Sequence, residues 1–354
     1  YFQHEPPIDP SSLTRWRQRV GEEGVEWLLT ETIEAARRGK VVKKQSFDKI
    51  IIDTTVMEKA VAYPTDSRLL ERSRQHLVKL AKRLGITLRQ NYNRDAPRLA
   101  IQVGRYAHAK QFRRMKATLK SLRTLVGRVW RDIDRKLDRN DETTAVRAEA
   151  ILARVKRVLT QQPKDKNKLY SLHAPEVECI SKGKARQPYE FGVKVTVATT
   201  HKEGLVVGMR SMPGNPYDGH TLPEAVEQVS ILTDHLPKAV FVDKGYRGVD
   251  VPGVTIWRSG QKRGVTSAIK KAIHRRSAVE PAIGHMKNDG RLRRNWLKGS
   301  LGDALHAVLC GAGHNLRMIL RALRLYFTFL LVGPWGSNLR CRPRNQNSYR
   351  LFPA

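Results

Sequence analysis

Two short apolar runs, each leading into an aspartate, constrain the fold of this chain more than any other feature. The first is Ile50-Ile-Ile52 before Asp53, and the second is residues 239–242 before Asp243. Such runs, bounded by turn formers, are typical of strands buried on both faces. We therefore expect both aspartates at strand ends, where open sheets bind ligands and where carboxylates offer the oxygens that Mg²⁺ prefers. Taken singly, either aspartate is better explained as a turn cap, and the interpretation as a ligand site depends on the pair.

The charge of the chain predicts a polyanionic partner. Its 354 residues include 66 Lys and Arg against 33 Asp and Glu, a formal net charge of +33. The basic residues are spread through periodic segments, which favours a folded protein acting on nucleic acid. Three cysteines without a close pair argue against a disulfide framework or zinc cluster and indicate a reducing, cytoplasmic compartment. The longest apolar run, residues 325–332, is too short to span a bilayer, and no signal peptide opens the chain.

The order of patterns predicts four parts. Residues 1–45 contain two short helical patterns about a glycine turn, consistent with either a DNA-binding helix-turn-helix or a packing hairpin. Residues 66–164 form a basic helical insertion, whose charged faces suit either plain solvated surface or phosphate contact. Residues 46–65 and 165–325 carry the strand signals, including a hairpin over residues 189–209. Residues 326–354 form a C-terminal tail.

This order of strand, hairpin, helix, strand, strand and helix predicts an α/β fold. We expect a ribonuclease H-like mixed sheet with an all-helical insertion after the first strand and an N-terminal helical segment. In that fold a third acid lies on a late helix, which we predict to run without a break from Thr266 to Lys287. Glu280 is the acid there, and Arg276 and Lys287 share its face of a continuous helix. A capping box with Ser277 is the alternative role for Glu280.

The motifs resemble those of the bacterial insertion-sequence transposases of the DDE class, within the insertion-sequence five family. The resemblance covers most of residues 1–320. It rests on Ile52-Asp-Thr-Thr-Val-Met-Glu58, Tyr63-Pro-Thr-Asp66, Tyr189-Glu-Phe-Gly-Val-Lys194, Gly214-Asn-Pro-Tyr-Asp218, Val242-Asp-Lys-Gly-Tyr-Arg-Gly248 and Arg276-Ser-Ala-Val-Glu280 with Lys287.

The resemblance implies that Asp53, Asp243 and Glu280 bind two Mg²⁺ or Mn²⁺ ions. It also implies that Arg276 and Lys287 complete an Arg-(three)-Glu-(six)-Lys signature. The family commonly has a tyrosine three residues before that arginine, where this chain has Ile273. A contact made by that tyrosine is therefore not expected here, whereas the triad is unaffected.

The implied function is metal-dependent DNA cleavage at the ends of an insertion sequence, followed by strand transfer. Two divalent ions about 4 Å apart can activate the attacking oxygen and stabilise the leaving oxygen at phosphorus. The expected partners are double-stranded DNA, as terminal inverted repeats and as target, and a second copy of the chain bound to that DNA, with no membrane. Phosphate or DNA contacts are expected from Arg276, Lys287, Arg258, Lys262, Arg263, Lys244 and Arg247.

Two other functions fit the same residues. A structure-specific nuclease of this fold would share the metal triad but would not join strands, and a decayed transposase fragment would bind DNA without cleaving it. The chain begins at Tyr1, and its opening looks like the interior of the family's N-terminal domain, so we expect part of the DNA-recognition region to be missing. Weaker site candidates, expected to be loop and cap residues, are Asp66, His173, Asp218 and His220.

Overall fold

The computed structural model describes residues 9–332 apart from 140, 167, 182 and 184–187. In this part of the chain, helices flank a mixed sheet of six strands, so the expected α/β class is confirmed. The helices are α1 (Pro10–Arg38), α2 (Asp66–Arg83), α3 (Asp95–His108), α4 (Phe112–Lys136), α5 (Glu142–Thr160), α6 (Leu222–Thr233), α7 (Ser267–Arg275), α8 (Val279–Asn288) and α9 (Gly299–Val332). The strands are β1 (Lys49–Glu58), β2 (Glu178–Ser181), β3 (Tyr189–Thr200), β4 (Val206–Met212), β5 (Ala239–Val242) and β6 (Thr255–Arg258).

Strand β1 lies at the centre of the sheet. The strand order is β2-β3-β1-β5-β6. β2 pairs with the first part of β3, and β4 pairs with the later part. β1 is antiparallel to β3 and parallel to β5, and β5 is parallel to β6. The hairpin predicted from the sequence is present as β3 and β4. One flank of β1 is therefore antiparallel and the other parallel.

The three isoleucines of β1 explain its central position. Ile50 and Ile52 face the main core, which also contains apolar residues of α1, α6 and α9. Ile51 points to the other face of the sheet and packs with Phe241 and Val279. Because helices cover both faces, the strand reads as an unbroken apolar run instead of an alternating one.

The four helices between β1 and β2 surround a second core. Apolar residues on one side of each helix meet there, among them Leu70, Leu77, Leu122, Ile133 and Val155. The side chain of Thr65 caps α2 by accepting from the amide of Arg68. Helix α3 lies within the range predicted as an all-helical insertion. This block follows the first strand, and the boundaries proposed for it at residues 66 and 164 stay predictions.

Helix α1 packs into the sheet core. Gly21 interrupts the helix with a φ of 65°, and beyond it Val25, Leu29 and Ile33 are buried. On α9, the Asn315 side chain accepts from the amide of Val206 and donates to the hydroxyl of Thr32, which joins α9, β4 and α1. The DNA-binding role predicted for residues 1–45 stays a prediction.

Helix α9 continues past the boundary predicted at residue 326 as far as Val332, the last residue that the structure describes. The rest of the predicted tail, residues 333–354, and the opening at residues 1–8 lie outside the described residues. A search of the described helices finds none with the length and apolarity that a bilayer crossing requires.

Candidate active site

Asp53 lies in the middle of β1, and the prediction that it ends a strand was wrong. β1 runs on to Glu58, because Val56 and Met57 are buried and continue the pairing with β3. On the other side, β1 pairs with β5 only as far as Ile51. Asp53 is therefore the first acidic residue of β1 beyond the part that pairs with β5.

Asp243 follows directly after β5, as the sequence predicted. The parallel register sets Ile51 against Phe241, so Asp243 leaves the sheet at the level of Asp53. Tyr246 fixes the turn that follows: its ring is buried in the main core, and its amide donates to the carbonyl of Asp243 at 3.3 Å. Burial also raises the pKa of the Tyr246 phenol, which keeps it neutral.

Glu280 lies in the first turn of α8, and the prediction of one continuous helix was wrong. α7 ends at Arg275, and residues Arg276–Ala278 form a 3₁₀ turn before α8 begins. Pro281 fits the first turn of α8, where backbone N–H groups have no partner within the helix. The Ser277 hydroxyl donates to the carbonyl of His274 at 3.1 Å, which is not the contact a capping box with Glu280 requires.

Arg276 brings the three acids together. Its Nη1 donates to Oδ2 of Asp53 at 3.2 Å. Its Nη2 lies 3.8 Å from Oδ1 of Asp243 and 3.7 Å from Oε1 of Glu280. Three carboxylates from β1, the end of β5 and α8 thus converge on one guanidinium, although they are far apart in sequence.

The three carboxylates differ in exposure. The side chain of Asp53 is 19% exposed, against 52% for Asp243 and 66% for Glu280. Burial raises the pKa of Asp53, and the nearby charges of Asp243 and Glu280 act in the same direction. The amide of Thr54, which donates to Asp53 at 2.8 Å, and the charge of Arg276 oppose this shift. Asp53 is the inner acid of a site that opens outward through the other two.

The donor set suits a divalent ion. Carboxylate oxygens are the ligands that Mg²⁺ and Mn²⁺ take in proteins. Within the described residues, however, no three His, Cys, Asp or Glu side chains are arranged to hold a metal. The guanidinium of Arg276 lies among the acids instead. The residue types fit a divalent ion, and in this structure the Arg276 guanidinium lies where the three carboxylates converge.

The basic residues expected near the acids differ in their surroundings. Arg258 donates to the carbonyls of Tyr246 at 2.8 Å and Val249 at 2.5 Å and lies 3.3 Å from Asp250. These contacts brace the loop after Asp243 and leave Arg258 less suited to phosphate. The exposed basic residues on the loops after β5 and β6 are Lys244, Arg247, Lys262 and Arg263.

Lys287, in the last turn of α8, lines a basic cleft that sequence reasoning missed. The cleft has a volume of about 580 Å³, and Arg291, Arg293, Arg294 and Trp296 are among its walls. The Arg294 guanidinium lies 4.7 Å from the centre of the exposed Trp296 ring. Guanidinium groups and an exposed indole together suit phosphates and bases of nucleic acid. The signal was present in the sequence as an arginine-rich stretch with a tryptophan shortly after the third acid.

Of the weaker candidates, Asp218 lies beside the site, and the other three have structural contacts elsewhere. Asp218 accepts from the Thr54 hydroxyl at 3.1 Å and from Lys194 at 2.9 Å, so it supports β1 beside Asp53. Asp66 begins α2, and His220 lies in the short 3₁₀ turn before α6. His173 shares a hydrogen bond with the Ser171 hydroxyl at 3.0 Å.

Comparison with known proteins finds a family match and one partial relative. A family model described as "Transposase DDE domain" matches residues 128–312, which include Asp243, Arg276 and Glu280 but begin after Asp53. The relative, "Uncharacterized protein ORF8 in nfe locus" of Rhizobium meliloti, is 50% identical over 112 residues, 32% of this chain and 54% of that protein. The chain therefore spans about half the length of that relative. No solved structure matches.

Proposed function

Because this chain belongs to the transposase DDE domain family, we propose that it cleaves DNA at the ends of an insertion sequence and joins the freed strand to target DNA. The observation that carries this proposal is the convergence of Asp53, Asp243 and Glu280 on one point of the structure. Carboxylates that meet at one site can hold the divalent ions that metal-dependent phosphoryl transfer uses. Membership of the insertion-sequence five family is consistent with the same residues.

The sheet topology supports a ribonuclease H-like catalytic domain. An antiparallel hairpin, β3 and β4, lies on one side of β1, and two parallel strands, β5 and β6, lie on the other. The first acid is on the central strand, the second follows its parallel neighbour, and the third is on a helix that packs on one face of the sheet. The helical block α2 to α5 is then an insertion between β1 and the hairpin.

Each acid has a part in holding metal ions. Ions bound by Asp53, Asp243 and Glu280 would activate the attacking oxygen and stabilise the leaving oxygen of an in-line displacement at phosphorus. The amide of Thr54 fixes the Asp53 carboxylate before any ligand arrives. The more exposed Asp243 and Glu280 face the solvent side, where the DNA strand approaches.

Basic residues on the same side of the molecule hold the DNA. Lys287 and the arginines of the basic cleft continue from the C-terminal end of α8. They supply phosphate contacts, and the net charge of +33 draws DNA toward the molecule. A second copy of the chain on the same DNA, one for each end, completes the proposal.

The proposal is tested by strand cleavage and joining in purified components. The chain is incubated with Mn²⁺ and labelled DNA that carries the sequences flanking its gene, together with a target plasmid. We expect both a nick at the element end and a joined product. Cleavage that never yields a joined product would favour the nuclease alternative. DNA binding without any cleavage would favour the decayed-fragment alternative, and either result would overturn the proposal.

A further inference from the structure

We propose that Arg276 is an internal counterion that occupies the metal-binding position of the DNA-free protein and must leave it before divalent ions can bind. The inference rests on the proposed function in one respect, because it requires that the three acids bind metal. It goes beyond that function in naming the group that occupies the site before metal binds and the event that displaces this group.

The charges of the site require a cation in the absence of metal. Asp53, Asp243 and Glu280 all lie within 4 Å of the same guanidinium, and like charges so close together disfavour one another's ionisation. The Arg276 side chain is 13% exposed, so little solvent reaches it. It places one positive charge among three carboxylates, which compensates them in part.

The contacts that hold Arg276 are few and long. One is a hydrogen bond of 3.2 Å to Asp53, and the other two, at 3.8 and 3.7 Å, exceed hydrogen-bond length. A bidentate pair of arginine and carboxylate makes two parallel bonds, typically of about 2.7–2.9 Å. Arg276 makes no such pair with any of the three acids. Its hold on the site is therefore loose enough to be exchanged.

A metal ion and the guanidinium exclude each other. Mg²⁺ takes oxygen ligands at about 2.0–2.1 Å, closer than any nitrogen of Arg276 lies to these carboxylates. A doubly charged ion among the same oxygens would repel the guanidinium over a few ångströms, where screening by water is weak. Metal binding to the DNA-free protein is thus opposed by the displacement of Arg276.

A DNA phosphate gives the displaced guanidinium a new partner. The planar fork of arginine suits bidentate phosphate contact, and Arg276 lies in a short 3₁₀ turn directly before the helix that carries Glu280. Phosphate binding therefore favours metal binding, and the coupling is reciprocal. Metal binding is therefore weaker in the DNA-free protein than in the DNA complex.

The test is Mn²⁺ affinity without DNA, measured as loss of the free-ion EPR signal. The Arg276→Gln variant should bind Mn²⁺ at least about fivefold more tightly than the parent, the lower end of typical coupling between sites. Arg275→Gln is the matched control: it removes the same charge one residue away, where the side chain donates to the carbonyls of His201 and Lys202. Its Mn²⁺ affinity should equal that of the parent.

Thermal unfolding supplies a second readout. Without metal, Arg276→Gln should melt below the parent because its carboxylates lack their cation, and added Mn²⁺ should raise its midpoint by more than that of the parent. If Arg276→Gln does not fold, Arg276→Lys serves instead, since one ammonium cannot span three carboxylates and affinity should again rise above that of the parent.

Equal or weaker Mn²⁺ affinity in the Arg276 variants would overturn the inference. Asp53→Asn locates the bound ion, since binding at the triad should weaken when that ligand is neutralised. Failure of the proposed function has a different signature, namely Mn²⁺ binding that is insensitive to Asp53→Asn in every background, with and without DNA. That result would remove the basis of the inference as well.

Discussion

Asp53 combines burial with two neighbouring negative charges, and its folded environment therefore opposes its ionised form. Its pKa lies above the ordinary value, so the folded protein holds this proton to higher pH than the unfolded chain does. The metal-free protein then loses stability as pH rises from the ordinary value of an aspartate through the raised one, and below both values the penalty is absent. The proposed metal ligand Asp53 therefore lowers the stability of the metal-free protein at neutral pH.

Replacing Asp53 with Asn should therefore stabilise the metal-free protein at neutral pH while abolishing cleavage. The measurement is the thermal unfolding midpoint in EDTA across about pH 4 to 8, where the gain over the parent should shrink as pH approaches the ordinary aspartate value. Glu227→Gln, on the exposed side of α6, is the control and should leave the midpoint unchanged. A lower midpoint for Asp53→Asn at neutral pH would contradict the electrostatic account of this acid.

Among the elements, β1 depends on a close approach by β3. Gly192 pairs with Glu58 at the far end of β1, and a Cβ atom at this glycine would overlap the carbonyl of Met57. Glycine is needed here for space, since its φ is not in the left-handed region. The contact sets the register that continues back to Asp53 and its partner Val197.

Gly192→Ala should accordingly destabilise the protein by about 1–3 kcal/mol, the usual range for overpacking. Gly104→Ala is the matched control, because Gly104 lies within α3 with open space where a Cβ would point. That substitution should be neutral or stabilise by about 0.4–1 kcal/mol. Thermal or urea unfolding of both variants decides the matter, and equal effects would show that the close approach at Gly192 has no energetic weight.

Several elements were predictable from local pattern. The hairpin of β3 and β4, the strand that leads to Asp243 and the helical character of residues 66–164 follow from the spacing of apolar residues. The end of β1 was misplaced because its apolar run stops at Asp53, whereas pairing with β3 carries the strand onward.

The site itself depended on contacts that local pattern does not contain. No glycine marks the 3₁₀ turn at Arg276–Ala278, and Pro281, which follows it, fits a helix interior kink as well as a helix start. Placing Arg276 among the acids required the register of β1 against β5 and the packing of Val279 on Ile51. Both are tertiary properties. The sequence and the family resemblance implied that the three acids share one site, but they did not predict the position of Arg276 among them.

For the whole molecule, the dominant property is its positive charge. The excess of Lys and Arg gives +33, and the basic cleft beside α8 concentrates part of it at one end of the candidate site. The basic residues do not all contribute equally to the attraction of DNA. Arg139, for example, lies 2.9 Å from Asp134 and 3.1 Å from Glu149, so its charge is already compensated.

DNA affinity should therefore fall steeply with salt, and the residues responsible can be separated by their effect on that slope. Arg294→Gln should weaken binding and reduce the slope of log affinity against log salt by about 1, as expected for one lost phosphate contact. Arg139→Gln should leave the slope unchanged. The assay is a salt titration of DNA binding by fluorescence anisotropy. A DNA affinity of the parent that does not change with salt would contradict electrostatic binding altogether. Equal slopes for the parent and Arg294→Gln would show that the basic cleft does not contact DNA phosphates.

Asp53, Asp243 and Glu280 are proposed to form one metal-dependent cleavage centre, and Mn²⁺-dependent nicking by Glu280→Gln tests this claim most directly. The substitution keeps the shape of the side chain and removes one ligand charge, so nicking should be lost while DNA binding persists or tightens. Glu227→Gln makes the same chemical change on α6 and should nick at the parental rate. A folded Glu280→Gln protein that still nicks DNA at near the parental rate would contradict the claim.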